Sequence, residues 1–270
     1  MTLTDAAPRW IDLEGAVNAR DVGGIPLADG TGTIAAGRLL RSDNLQDLTP
    51  ADVDHLIDDH GLRAVVDLRT GVEVRLEGRG PLVDDDRVVV HHRSLYPEAG
   101  EHTDVVEADT IVPWQLGKGG ADLPGESPTV QTYMGYLDHR PDSVLGALAT
   151  IADPPEGGAT LVHCAAGKDR TGIVVALALE IAGVSRDAAI ADYALTGERI
   201  ELIVARLASS PTYARDVTGH EAARHAPRPA EMRRVLDLLD ERHGSPAGWL
   251  AANGFSAADV AALRARLTGA

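Results

Sequence analysis

Apolar positions along this chain fall either into short continuous runs or into longer stretches with helical spacing, and the two kinds alternate. The short runs are Gly37 to Ser42, Arg63 to Arg69, Val88 to His92 and Ala159 to His163, each five to seven residues long, which reads as buried strand. Helical spacing follows Thr49-Pro50, with Val53, Leu56 and Ile57 on one face before Gly61. It returns from Tyr133, then over 141–152 with Val144, Leu145, Leu148 and Ile151 inward, and again over 173–182 up to Gly183. Ser185 opens a helix to Leu195, and further helices are expected over 198–207, 231–242, 246–253 and from Ser256 to Leu267. Strands alternating with helices predict an α/β fold, a central mostly parallel sheet flanked by helices with a helical C-terminal region. Residues 1–270 are expected to form one domain.

Four stretches break the pattern. Residues 1–16 are a polar lead-in anchored by Trp10, and Asn18-Ala-Arg-Asp-Val-Gly-Gly24 reads as a turn held by side-chain to backbone hydrogen bonds. Residues 209–229, with His220 and His225, read as a loop. From 97 to 130 the pattern dissolves into Pro, Gly and acidic residues, and a connection of that length usually serves as a lid or a binding loop.

Composition narrows the function. Forty-one acidic residues against 25 basic ones give a net charge of -16, which opposes long-range attraction to nucleic acid or to an anionic membrane, so no nucleic-acid partner is expected. Aromatics at 3% leave little for stacking on single-stranded bases. A single cysteine excludes an intrachain disulfide or a multi-Cys zinc site and suits a reducing compartment. Met1 to Leu13 holds no apolar run long enough for a signal peptide or a span. The expectation is a soluble, cytoplasmic protein with no stable membrane insertion, and export without a cleaved signal stays compatible with it.

That single cysteine sits where the chain's chemistry is concentrated. The strand 159–163 delivers Cys164 into the turn Ala165-Ala166-Gly167-Lys168-Asp169-Arg170-Thr171-Gly172, and an apolar helix follows at once. Strand, glycine-containing turn and helix aim the free N–H groups of a helix start at one point, a geometry suited to a tetrahedral anion. Cys164 and Arg170 bracket five residues, so a loop curled around a phosphate places thiolate and guanidinium on opposite sides of it. A helix N-terminus, inward N–H groups and a nearby arginine favour the nucleophilic form of a thiol.

The run His163-Cys-Ala-Ala-Gly-Lys-Asp-Arg-Thr-Gly172 resembles the signature of the cysteine-dependent protein tyrosine phosphatases, in the form used by the bacterial tyrosine and phosphoinositide phosphatase branch. Asn18 to Gly24 is similar to that family's Asn-x-Arg-Asp-Leu-Gly-Gly element, Arg41-Ser42 to its Arg-Ser step, and Asp67-Leu-Arg69 to its Asp-Leu-Arg. The C-terminal region also looks like the family's, and 97–130 is where the family inserts segments that cover the active site.

The resemblance implies a tyrosine-phosphatase-like fold and hydrolysis of a phosphate monoester through a phosphocysteine. Cys164 would attack phosphorus. Residues 165–170, namely Ala165, Ala166, Gly167, Lys168, Asp169 and Arg170, would bind the phosphate, Thr171 would hydrogen-bond the departing sulfur, and His163 would fix the loop from behind. Neither a metal nor another cofactor is expected, because the loop supplies the positive field. Arg20, Asp21, Arg41 and Arg69 are supports, and Trp114, Lys118, Tyr133 and Tyr136 are candidate substrate contacts or core.

The proton donor is the open assignment. Asp169 comes first, by similarity to myotubularin-type lipid phosphatases. Its neighbours Lys168 and Arg170 favour an ionised carboxylate and a bound dianion the protonated acid. Asp67, which is also a candidate for a plain ion pair with Arg69, and Asp138 stay behind it. Phosphotyrosine in proteins is the expected substrate, with phosphoserine and phosphothreonine as extensions. Lys168 suits the second phosphate of a phosphoinositide, which keeps a lipid substrate open. A non-catalytic phosphopeptide-binding module and a rhodanese-like sulfur transferase are the readings from other classes. An ATP-binding loop is disfavoured because Val162 stands for its first glycine and Asp169 for its hydroxyl residue. His91-His92 is read as ordinary, since neighbouring strand residues face opposite ways.

Overall fold

The computed structural model describes residues 9–97, 114, 119–217 and 221–270. Among these, six strands form one sheet: β1 (Arg9–Trp10), β2 (Arg20–Asp21), β3 (Leu39–Ser42), β4 (Leu62–Asp67), β5 (Val89–His92) and β6 (Ala159–His163). Their order is β1-β2-β3-β6-β4-β5, with β3, β6, β4 and β5 parallel and the short β1 and β2 antiparallel at one edge. The helices are α1 (Pro50–Asp54), α2 (Gly71–Glu77), α3 (Pro128–His139), α4 (Pro141–Ala152), α5 (Asp169–Ala182), α6 (Arg186–Leu195), α7 (Ile200–Ala208), α8 (Ala214–Val217), α9 (Pro229–His243), α10 (Pro246–Ala252) and α11 (Ala257–Thr268). The architecture is the expected α/β one, mostly parallel with a helical C-terminal region.

Neighbouring residues of a strand point to opposite faces, so each central strand feeds two cores. Leu39, Val66 and Val162 join the larger core with α3, α4, α5, α6 and α9 to α11, while Leu40, Val65 and Leu161 join the smaller one with Val53, Leu56 and Ile57. A buried β-strand apolar on both faces is what the continuous runs implied. Among the described residues no helix is long and apolar enough to cross a membrane.

Parallel register then does the positioning. Ser42, His163, Asp67 and His92 are paired in one row across β3, β6, β4 and β5, so the chain leaving each of these strands emerges at one edge of the sheet. Binding sites in parallel α/β sheets form at this carboxyl edge.

Two expectations need correction, and one helix was not foreseen. Asn18 to Gly24 is not only a turn: Arg20–Asp21 is a strand paired with β3, because the backbone between the turn's polar caps is extended. Residues 209–229 are not simply a loop: α8 and a further helical turn, Ala222–His225, lie there, too short for periodicity to reveal. Helix α2 went unpredicted, although Thr70 and Glu73 form a reciprocal capping box at its start. The lid expected over 97–130 falls largely on 98–113 and 115–118, with Lys118, outside the described residues, as does His220.

Candidate active site

Between β6 and α5 the backbone turns through residues 164–168. Its carbonyl oxygens are engaged from behind, one after another. Leu68 N donates to His163 O at 3.0 Å, Asn44 N to Ala165 O at 3.0 Å, and Gly172 N to Lys168 O at 2.8 Å. Asn18 Nδ2 donates to Ala166 O at 3.0 Å, and Arg41 Nη2 to Gly167 O at 2.8 Å. The backbone N–H groups of 165–168 donate to none of the described residues. Since backbone polar groups are rarely left unpaired, a loop with its carbonyls spent and its amides free is built for an anion. Gly167 is required by this path: its φ is +64°, and a Cβ there would lie 2.4 Å from Ser42 O.

Cys164, only 2% exposed, lies in a cavity of about 220 Å³ whose walls include Lys168, Asp169, Arg170, Trp114 and Tyr213. Arg170 stands in the first turn of α5, one helical turn earlier than the apolar run announces, because first-turn polar residues contribute nothing to apolar spacing. Its guanidinium forks onto the fully buried Glu73, Nη1 to Oε2 at 2.6 Å and Nη2 to Oε1 at 2.9 Å. Nη1 also reaches Leu68 O at 3.3 Å and Nη2 the Tyr213 hydroxyl at 3.2 Å. The Tyr213 hydroxyl in turn donates a hydrogen bond to Glu73. Burial would lower the arginine, yet Glu73 holds Arg170 well above its ordinary range, so its charge is permanent. The ring of Trp114 stacks on Tyr213 at 5.5 Å, and the guanidinium lies 5.8 Å from the Tyr96 ring and 5.7 Å from that of Trp114.

A thiol, a fixed cation and backbone amides that donate to none of the described residues therefore share one small cavity. A profile described as the tyrosine phosphatase family matches residues 11–269. The chain belongs to the tyrosine phosphatase family. It is similar to the Triple specificity protein phosphatase PtpB of Mycobacterium tuberculosis, 29% identical over 96% of this chain and 99% of that one. It is also similar to a Tyrosine-protein phosphatase of Nostoc commune, 29% identical over 87% of this chain and 75% of that one.

The remaining predicted residues of this tyrosine phosphatase divide into those at the cavity and those behind it. Asp169 accepts a hydrogen bond from Tyr133, whose hydroxyl also meets that of Tyr193 at 3.0 Å. Burial and the Asp169 charge push the Tyr133 phenol well up, so it stays a donor. Lys168 Nζ donates to His225 O at 2.6 Å and lies 3.7 Å from Asp169. Thr171 is fully buried and its Oγ1 has no partner among the described residues. Tyr136 is buried against Tyr96, hydroxyl to hydroxyl at 3.0 Å, and acts as core.

Asp67 and Arg69 stand behind the loop as an ion pair at 2.7 Å, both buried. Burial would raise the Asp67 carboxyl, but His163 and Arg69 outweigh it and hold it well below the usual carboxylate range. His163 is itself pushed down to about 4 by burial and is neutral at pH 7, so Arg69 does the holding there. The His163 ring lies 3.3 Å from Cys164 O and 3.5 Å from Asp67. Arg20 and Arg41 meet at Asp192, and Asp21 caps backbone, accepting from Gly23 N at 2.8 Å and Gly37 N at 2.9 Å. Asp138 is not among the residues lining the cavity; it lies 3.6 Å from Arg242. His92 accepts an ordinary structural role, bonded to Arg69 O at 2.7 Å. Sequence reasoning missed Glu73, Tyr213 and Asp192. The capping box was a usable signal for the first; the other two carry none.

Proposed function

We propose that the protein is a phosphate monoester hydrolase that dephosphorylates phosphotyrosine in proteins through a phosphocysteine. The observation that carries this reading is the loop around Cys164 whose carbonyls are bonded by other groups of the protein and whose amides donate to none of the described residues. Cys164 attacks phosphorus, the P–O bond to the tyrosine breaks, and the amides of 165–170 with Arg170 hold the equatorial oxygens. Water then hydrolyses the phosphocysteine. Thr171, whose hydroxyl has no partner among the described residues, donates to the departing sulfur, and Asp169 protonates the leaving oxygen, held toward it by Tyr133. Asp67, locked on Arg69, is the poorer acid. Arg170 spends four of its five N–H donors on protein, so forking onto phosphate requires Nη2 to exchange Tyr213 for a phosphate oxygen. Phosphoserine and phosphothreonine, shorter than tyrosine, are secondary substrates of so enclosed a cavity.

Lys168 at the cavity wall favours a second reading, a phosphoinositide with a further phosphate, against which the net charge of -16 opposes docking on an anionic bilayer. In both readings residues 1–270 act as one domain in the cytoplasm, where a lone thiol stays reduced. The test is hydrolysis of p-nitrophenyl phosphate, a phosphotyrosine peptide and soluble phosphoinositides by wild type and Cys164→Ser. Turnover is expected to be fastest on the peptide and to fall by about four orders of magnitude or more in the variant, as for loss of a covalent nucleophile. Unchanged turnover in Cys164→Ser would end the reading, and preference for the lipid would select the second one.

A further inference from the structure

Asp192 belongs to no motif, lies on α6 outside the cavity, and is 4% exposed. It stands between two arginines that are both 1% exposed and directly opposite one another on antiparallel strands, Arg20 on β2 and Arg41 on β3. Arg20 Nε donates to Asp192 Oδ1 at 3.1 Å, and Arg41 Nη1 donates to Oδ2. Arg20 Nη2 also grips Asp192 O at 2.8 Å and Thr196 Oγ1 at 3.3 Å, so α6 is held by main chain and side chain together.

Like charges placed opposite each other on a sheet repel, and more strongly away from water. A carboxylate between them turns that repulsion into a bridge; without it two buried cations would face each other. Burial, and after it the nearby charge of Arg41, pull the Arg20 guanidinium down to about 10 against the opposing pull of Asp192.

Two arms run from this bridge to the loop, and both end on its carbonyls. Arg41 Nη2 donates to Gly167 O at 2.8 Å. Arg20 Nη1 donates to Asn18 Oδ1 at 2.7 Å, which turns the Asn18 amide so that Nδ2 donates to Ala166 O at 3.0 Å and approaches Gly167 O at 3.4 Å. Arg41 keeps this pose although its Nε is left buried without a partner among the described residues. An unsatisfied buried donor is unfavourable, so the pose is set by its ends, the carboxylate and the loop carbonyl.

We infer that Asp192 is a positioning residue of the phosphate loop, acting through Arg41 and through Arg20 and Asn18 to turn the carbonyls of Ala166 and Gly167 outward and the loop amides inward. The inference rests on the reading of residues 164–170 as a phosphate loop, and its test separates the two.

Asp192→Asn, Arg41→Met and the double variant are compared with wild type by thermal unfolding, amide hydrogen exchange and kinetics on p-nitrophenyl phosphate. Asp192→Asn is expected to speed exchange at 165–170 while the interior of α5 stays protected. Its kcat is expected to fall about 10- to 100-fold, somewhat less than for complete loss of an oxyanion donor, with a smaller change in KM and weaker inhibition by inorganic phosphate. The two single losses in kcat are expected to combine to less than their product, as for residues acting in one chain. Unchanged loop exchange and kcat in folded Asp192→Asn, or losses that simply multiply, would overturn the inference. If Asp192→Asn does not fold alone, the double variant replaces it, since its buried charge of one cation equals that of two arginines and one carboxylate. It must then exchange faster at the loop than Arg41→Met does, and equal exchange would overturn the inference. Turnover that survives Cys164→Ser would sink the phosphatase reading alone, leaving loop exchange to judge Asp192.

Discussion

Glu73 shows how one side chain serves two masters. Its carboxylate accepts the N–H of Thr70 to cap α2 and at the same time takes the fork of Arg170 and a hydrogen bond from the Tyr213 hydroxyl. Burial would raise it, but the Arg170 charge prevails and keeps it below its ordinary range, hence ionised at neutral pH. Replacing Glu73 by Gln removes the charge, leaves Arg170 buried without a counter-ion and frees it to swing. Breaking a buried pair on one side costs about 3 kcal/mol or more. The expected result for Glu73→Gln in urea unfolding at pH 7 is therefore a loss of about that size, with kcat reduced beyond what the residual folded fraction explains.

Among the elements, the segment from Tyr213 into α8 forms part of the cavity wall. Tyr213 stacks on Trp114 and bonds Arg170, while Trp114 donates to Asp216 of α8 at 2.9 Å, so segments far apart in sequence close over a nearly inaccessible Cys164. A hydrogen bond to a charged group contributes about 1.5–3 kcal/mol, so Tyr213→Ala is expected to raise the open fraction about tenfold or more. Iodoacetamide alkylation of Cys164 in the resting protein reads this out, and an unchanged rate would show that Tyr213 does not limit entry. The elements also show what was legible beforehand. Strands β3 to β6 and the helices from α4 onward that bury an apolar stripe are plain from spacing, and the site's centre, Cys164 to Arg170, is plain from its motif. Helix α8 has four residues, less than two turns, and leaves no period to read. Asp192 lies between Ala191 and Tyr193 on an amphipathic helix, where a carboxylate is the expected surface residue, and only the tertiary fold sets two arginines against it.

For the molecule as a whole, the interior is where pH acts. His163 is neutral in the folded protein and titrates near 4 there, against 6.5 for an exposed histidine. Between those values the unfolded chain binds the extra proton, so stability present above pH 6.5 is lost as pH falls toward 4. One such proton gives a slope of at most about 1.4 kcal/mol per pH unit. Urea unfolding at pH 7 and pH 5 is expected to show this loss, and His163→Gln to flatten it. Below that window the paired Asp67 and Glu73, both held low, lose their charge and their pairing in turn. Strand order carries a last consequence, for biosynthesis. Strand β6 lies in the sheet between β3 and β4 but follows them by some hundred residues of chain, so β3 and β4 have no partner between them until it arrives. A nascent chain that has just completed β5 thus exposes two unsatisfied inner edges, a state open to mispairing and to chaperones. The insertion of β6 closes the sheet and, in the same step, delivers Cys164 to the residues already waiting for it.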